Sequence, residues 1–173
     1  FVIETEAQLR SFAASTIGGN AVDYAGQYVA LDVDITLNGA WTPIHYFAGN
    51  FDGRGHTVSG VRIGTERAPL EQAGVGFFDV LANDAVLSNL NLTNVAVYGK
   101  LTGEWDRPFV SGLVGGSLGM GKNARIDNCS VVGGIVSAEG KQWAYGGGLT
   151  ASLYLNAYLT NSWTDVTVQV NSA

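Results

Sequence analysis

The stretch Phe47–Ile63 reads FAGNFDGRGHTVSGVRI and predicts a glycine-rich corner followed by a β-strand. Its apolar residues surround Gly60, and the same spacing of apolar positions returns three times later in the chain. The residues at the position of Gly60 are then Asn89, Asn128 and Asn161, so the steps are 29, 39 and 33 residues. A self-similar period of this size predicts a repeat architecture in which each unit stacks on the next.

Two further columns run in register with the first. One is a glycine followed by large residues, with steps of 36 residues, at Gly76–Phe78, Gly112–Val114 and Gly148–Thr150. The other is looser, at Val95–Val97, Gly134–Val136 and Thr167–Gln169. Three short strands per repeat predict an all-β parallel β-helix, and parallel connections are generally right-handed. We expect a single domain over residues 1–173, with about four coils in residues 28–173.

The first 27 residues predict a short strand and a capping helix. Phe1–Ile3 is β-prone, and Thr5 with Gln8 matches a capping box at a helix N-terminus. Apolar residues then fall on one stripe as far as about Ser15, and two glycines end the helix. Because a solenoid leaves the end of its core open, we expect this helix to close that end like a lid.

An alternating segment, Tyr28–Leu37, predicts the first long strand. Asp32 and Asp34 share its solvated face. A pair of this kind is open to two interpretations, plain solvation or ligation of calcium, and further oxygen ligands are not evident nearby in the sequence. Solvation is the simpler interpretation, so we predict no metal site.

Composition excludes several classes of function. Nine Lys and Arg against fifteen Asp and Glu give a net charge of −6, which argues against a nucleic-acid partner. No apolar run is long enough to predict membrane insertion. The single cysteine, Cys129, excludes an internal disulfide and is expected in the core. No phosphate loop and no Cys/His metal spacing occur, so no cofactor is expected.

Several motifs together resemble the GLUG-type repeat proteins of bacterial cell surfaces. They are Trp41–Ile44, Phe51–Val58, Gly112–Gly115 and Ile126–Cys129, preceded by the lead-in at Thr5–Leu9 and Tyr28–Leu31. The resemblance covers nearly the whole chain and implies a right-handed parallel β-helix with an extracellular or cell-surface location. Such repeats are found in adhesins, haemagglutinin-like proteins and the non-catalytic regions of secreted proteases. Gly76–Asp79 and Gly148–Ala151 depart from the pattern by lacking its closing glycine, which loosens the repeat boundaries.

An enzyme is not the expectation, because the acidic residues do not align into a column. Glycoside hydrolysis needs two carboxylates facing one bond. The candidates fall at different positions within the coil and are Asp52, Asp79, Asp84, Asp106, Asp127 and Asp165. His45 and His56 both belong to the first complete coil, and His56 is expected to pack or hydrogen-bond at its Gly-Arg-Gly corner.

Two loops carry aromatic residues that are candidates for binding a ligand. Equivalent loops of a solenoid emerge on the same side, so Trp105, Trp143 and Tyr145 are expected near one another. They are candidates for a platform that binds a glycan or a cell-surface protein, or else they fold back and shield the coil. Asn89 and its counterparts Asn128 and Asn161 are expected to form a structural amide ladder.

The ends of the solenoid are the candidate assembly sites. Phe1, Val2 and Ile3 form a strand at one end, and Val166, Val168 and Val170 at the other. Unpaired strand edges are templates for another chain, and a head-to-tail contact that does not close generates a filament. The chain begins with Phe1, so it was either processed or cut from a longer protein.

The predicted function is therefore an extracellular structural or adhesive module, either a stalk segment or a fibre subunit stacking end to end. The alternative is a module that binds or degrades carbohydrate.

Overall fold

The computed structural model describes residues 1–116 and 122–172 of the chain, which form parallel strands and one helix. The helix is α1, Glu6–Ser15. The strands before residue 82 are β1 Val2–Ile3, β2 Tyr28–Leu31, β3 Ile35–Thr36, β4 Ile44–Phe47, β5 Asn50–Asp52, β6 Thr57–Ser59, β7 Arg62–Ile63, β8 Gly74–Val75 and β9 Phe78–Leu81. The later strands are β10 Val86–Ser88, β11 Asn91–Lys100, β12 Phe109–Ser111, β13 Arg125–Asp127, β14 Ser130–Gly140, β15 Tyr145–Gly147, β16 Tyr158–Thr160 and β17 Trp163–Ser172.

Each strand pairs in parallel with its counterpart one coil away, which makes the chain a parallel β-helix and confirms the predicted fold class. The first sheet has the order β1-β2-β5-β10-β13-β16, and the second has the order β3-β6-β11-β14-β17, with β7 also pairing β11. A third sheet contains β8, β12 and β15, and a fourth contains β4 and β9. Bridges from Phe78 to Val114 and from Val114 to Thr150 continue the fourth sheet, as the 36-residue steps predicted.

The first step of the predicted repeat was wrong. Phe51 pairs with Leu87, a step of 36 residues, whereas the sequence pattern had placed Gly60 opposite Asn89. The cause is that the pattern matched positions from two different sheets. Gly60 follows β6, in the second sheet, whereas Asn89 follows β10, in the first sheet. The corner of this coil is also longer, because seven positions separate Phe51 from Val58, but only five separate Leu87 from Leu92, the residue that pairs with Val58.

The predicted third column also differs from the structure. It is not a separate strand, because β11, β14 and β17 run continuously through it. Ile135 pairs with Thr167, one position from the predicted alignment, since the register shifts between Val132 and Ile135. Gly134 sits at this bulge with φ +109°, where a Cβ would lie 1.9 Å from Val95 O.

The predicted strand Tyr28–Leu37 is two strands, β2 and β3, in different sheets. The break falls at Asp32–Asp34, where the chain turns from the first sheet into the second. Asp34 Oδ1 accepts from Thr57 N at 2.8 Å and lies 3.2 Å from His56 Nδ1, and the Arg54 guanidinium donates to Asp32. These hydrogen bonds secure the corner, because Asp32 reaches the Gly-Arg-Gly turn of the next coil and Asp34 reaches the two residues that follow that turn.

Helix α1 closes the N-terminal end of the core, in the position predicted for it. Thr5 Oγ1 accepts from Gln8 N as expected, and the Gln8 side chain also reaches back, although it accepts from Glu4 N rather than from the amide of Thr5. Phe12 is 2% exposed and packs its ring 5.8 Å from Phe47 and 5.9 Å from Phe51. Within the described residues, no helix is long and apolar enough to cross a membrane.

An unpredicted feature of the core is its aromatic content near this lid. Phe47 and Phe51 both contact Phe78, with ring centroids 5.6 and 5.5 Å apart. Trp41 stacks on Phe77 at 4.7 Å, and its Nε1 donates to Phe77 O. Aromatic pairs add about 0.5–1.5 kcal/mol each beyond the area they bury, so these contacts stabilise the first coils.

The recurring asparagines lie at a corner between the first and second sheets, where the backbone is left-handed. Asn89, Asn128 and Asn161 have φ of 54°, 51° and 50°, a region that asparagine tolerates better than other non-glycine residues. Asn128 Nδ2 donates to Asn89 Oδ1 at 2.8 Å, and Asn89 Nδ2 donates to Asp52 Oδ1. Asn161 departs from the predicted ladder, because its amide donates to Asp127 Oδ1 instead.

We predict that Asn128→Ala lowers the free energy of unfolding by about 2 kcal/mol, because alanine loses the amide bond and is strained at positive φ. Asn128→Gly loses the same bond without the strain, so it should cost about 0.5–1 kcal/mol less. Urea unfolding of the two variants measures the difference. An equal cost, or a larger cost for glycine, would show that the left-handed corner does not select asparagine.

Candidate functional site

Two stacked loops hold the predicted aromatic residues. Residues 101–108 connect β11 to β12, and residues 141–144 connect β14 to β15. Because β11 pairs with β14 and β12 pairs with β15, the two loops leave and re-enter the solenoid one coil apart. The tip of the first loop is a tight turn, in which Asp106 Oδ2 accepts from Gly103 N at 2.9 Å.

Trp105 and Trp143 contact each other across these loops. Their ring centroids are 5.8 Å apart and their planes are inclined by 30°. The guanidinium of Arg107 lies 4.9 Å from the centre of the Trp143 ring, a cation–π contact that the sequence did not reveal. Trp143 is half-buried, whereas Trp105 is 74% exposed. We name Trp105, Arg107 and Trp143 the aromatic patch.

Tyr145 does not join the aromatic patch. Its ring stacks on Phe109 at 4.4 Å with an interplanar angle of 3°. The two residues are register partners in β12 and β15, so cross-strand pairing fixes this contact. Tyr145 therefore shields the coil, as the alternative interpretation had it, while Trp105 presents a free face to solvent.

The C-terminal end of the solenoid exposes residues that belong to the core. Val97 and Val136 occupy one inward column and are both 0% exposed, but their partner Val168 is 41% exposed. Ala138 is 0% exposed, and its partner Val170 is 47% exposed. β16 and β17 are the last strands of their sheets, so a ten-residue strand edge lies beside this apolar surface. We name Val168 and Val170 with β17 the open end.

The N-terminal end differs from the open end. Ile3 was predicted to be an assembly residue, but it is fully buried and pairs with Leu31. Phe1 and Val2 are 61% and 42% exposed. Of the predicted C-terminal assembly residues, Val166 is only half-exposed and packs against the core. The six residues therefore do not form two equivalent surfaces.

Asp79, one of the candidate acids, lies near the lid, and the sequence did not indicate its burial or its contact with His45. Asp79 is 4% exposed, and its Oδ2 lies 2.7 Å from His45 Nδ1 and 2.9 Å from Gln72 Nε2. Burial raises the pKa of Asp79, while His45 and Gln72 oppose that rise. Thr16 Oγ1 accepts from His45 N, so this group ties the end of α1 to the next two coils.

Most of the other candidate acids serve the scaffold. Asp52 accepts from Arg54 N and Asn89, Asp84 from Asn123, and Asp127 from Thr160 and Asn161. The hydrogen bonds from Thr160 and Asn161 hold the pKa of Asp127 below its usual value. In residues 1–116 and 122–172, no three His, Cys, Asp or Glu side chains gather in a way that suits a metal ion.

Cys129 is a core residue, as expected. It is 1% exposed, and burial raises the pKa of its thiol to about 11. A thiol with so high a pKa carries little thiolate at neutral pH, so it is a poor nucleophile.

Comparison with known proteins supports the fold and leaves the family open. No protein-family model matches the chain, and no curated protein matches it. A solved structure from Bacteroides ovatus, described as a "putative immunoglobulin A1 protease", is similar with a TM-score of 0.52 and 14% identity. The match covers 97% of this chain and 67% of that one. At this identity the likeness shows a shared fold.

Proposed function

We propose that this chain is an extracellular structural and adhesive β-helix module, a stalk segment of a bacterial surface protein. The observation that carries the proposal is the open end. Val168 and Val170 continue inward columns whose other members are completely buried. Uncovered core positions beside an unpaired strand edge favour association with a further parallel coil. Stacked coils of this kind transmit load along a rigid axis, and no catalytic step is part of the proposed role.

Unequal ends favour a stalk segment over a fibre of identical subunits. A head-to-tail fibre would pair the ten-residue β17 with β3, which forms the other edge of the same sheet and has only two residues. It would also bring the open end against α1, whose apolar face is already buried in its own core. The open end is therefore better suited to a coil of matching length.

We predict that the isolated chain self-associates weakly through the open end. Its mean mass in sedimentation equilibrium should rise with concentration, because the uncovered valines favour contact. The double variant Val168→Lys/Val170→Lys should stay monomeric, since charged residues blunt a strand edge.

A matched control is Val22→Lys, which charges a valine that is 40% exposed in a loop far along the chain from the open end. It should associate as the unmodified chain does. A chain that stays monomeric at every concentration, or a mass that rises equally in the double variant, would contradict the joining role of the open end.

A second candidate function, carbohydrate binding, is favoured by the aromatic patch. Exposed aromatic rings that keep a fixed orientation are suited to stacking on the apolar face of a sugar. Trp105 has this form, because its ring contacts Trp143, whose own ring is contacted by the Arg107 guanidinium. In an adhesive module, such a patch supplies the contact with a glycan or a cell-surface protein.

We predict that Trp105→Ala weakens binding to the glycan by about ten-fold or more, as expected for an aromatic anchor. Retention on insoluble polysaccharides and on isolated bacterial cell walls measures the effect. The matched control is Trp163→Ala, since Trp163 is 58% exposed but lies in β17 at the open end. Equal retention of the two variants would remove the aromatic patch as the binding site.

A further inference from the structure

A polar groove lies on the outer face of the second sheet. It encloses about 260 Å³ and runs along the outward residues of β14, which are Ile135, Ser137 and Glu139. At the rise of a parallel strand, these three side chains span about 13 Å. The loop between β7 and β8 supplies one wall through Glu66 and Pro69.

Outward side chains of the neighbouring strands complete two polar rows across this groove. Strand register places Tyr98, Ser137 and Gln169 in the first row, one from each of three successive coils. The second row is Lys100, Glu139 and Asn171. Successive members of a row are separated by the strand spacing of about 4.8 Å, so hydroxyl, amide and charged groups form a regular array. We name these six residues the sheet groove.

The sheet groove continues towards the aromatic patch. Glu139 also lines an adjoining cavity of about 170 Å³, together with Thr102 and Lys141. Thr102 belongs to the loop that carries Trp105, and Lys141 begins the loop that carries Trp143. The surface therefore offers one track from Ile135, along β14, to the base of both aromatic loops.

The chemistry of this track selects among possible ligands. Backbone groups of β11 and β14 are used in the parallel ladder on both sides, and the unpaired backbone groups of β17 point along the sheet edge, so the outer face offers side chains alone. An extended peptide binds through backbone hydrogen bonds at a sheet edge, which this face does not provide. Lys100 Nζ and Glu139 Oε1 are 2.6 Å apart and neutralise each other. The two remaining charged residues, Glu66 and Lys141, carry opposite charges, so the track has no net charge.

We propose that the sheet groove binds a neutral, extended glycan chain whose end reaches the aromatic patch. Sugar hydroxyls both donate and accept hydrogen bonds, so they match the hydroxyl and amide groups of the first row and the charged and amide groups of the second. Stacking on Trp105 then anchors the end of the chain. The inference rests on the carbohydrate-binding function proposed above and assigns that function its ligand class and its second contact surface.

Affinity electrophoresis in gels containing soluble xylan, hydroxyethyl cellulose or glycogen tests the proposal, with alginate as an anionic comparison. The groove variant is Ser137→Ala/Gln169→Ala/Asn171→Ala, which removes hydrogen-bonding groups from outward positions without touching the core. It should weaken retention by at least one neutral polymer by about ten-fold or more, since each lost hydrogen bond costs about 1 kcal/mol. Trp105→Ala should weaken the same retention.

The control is Thr93→Ala/Asp165→Ala, which changes two outward residues of the same sheet, on β11 and β17, away from the groove. It should bind as the unmodified chain does, and circular dichroism checks that all variants keep their fold. Retention by alginate alone would overturn the assignment of a neutral ligand.

The two proposals fail in different ways. If the unmodified chain is not retarded in any of the polymers, both the carbohydrate function and the sheet groove are overturned. If Trp105→Ala weakens binding while the groove variant binds normally, the aromatic patch stands and the sheet groove is overturned. If the groove variant weakens binding and Trp105→Ala does not, the continuous track is overturned.

Discussion

The structure depends on one constraint, which is that every inward side chain must be covered by the coils on both sides of it. Parallel pairing places residue on residue along each sheet, so an inward column is buried only where a neighbour continues it. Val97 and Val136 satisfy this condition completely, and Val168 does not. At the opposite end α1 supplies the cover, with Phe12 taking the place that a further coil would fill. The difference between the two ends follows from this single requirement.

Much of the fold was predictable because its signals are local in the sequence. The helix was visible in the Thr5 and Gln8 capping pair, and the glycine column was visible in its constant step of 36 residues. Errors arose where strands of different sheets carry similar apolar patterns. Gly60 follows β6 of the second sheet, but its pattern was matched with that of Asn89, which follows β10 of the first sheet. The split at Asp32–Asp34 was missed because an alternating pattern continues through a corner when both flanking strands face the same core.

The part of the candidate sites that was predictable is the part formed by equivalent loops of successive coils, because such loops stack on one side of the solenoid. Trp105 and Trp143 were expected to lie near each other because they occupy equivalent loops, and they do. The sequence did not indicate that Tyr145 would instead pair with Phe109. The contact between His45 and Asp79, 34 residues apart, was missed because it crosses coils in a sheet whose register was not known in advance. The sheet groove was missed for the same reason. Its rows draw one residue from each of three strands, so they appear only when the register of β11, β14 and β17 is fixed.

Amide hydrogen exchange along the chain tests the central claim most directly. If stability comes from coverage by adjacent coils, protection should be greatest in β5, β10 and β11, which have a paired strand on each side, and should fall towards β17. The amides of β2, next to the lid, should exchange far more slowly than those of β17. Uniform protection, or stronger protection in β17 than in β2, would contradict a solenoid that is closed at its N-terminal end and open at the other.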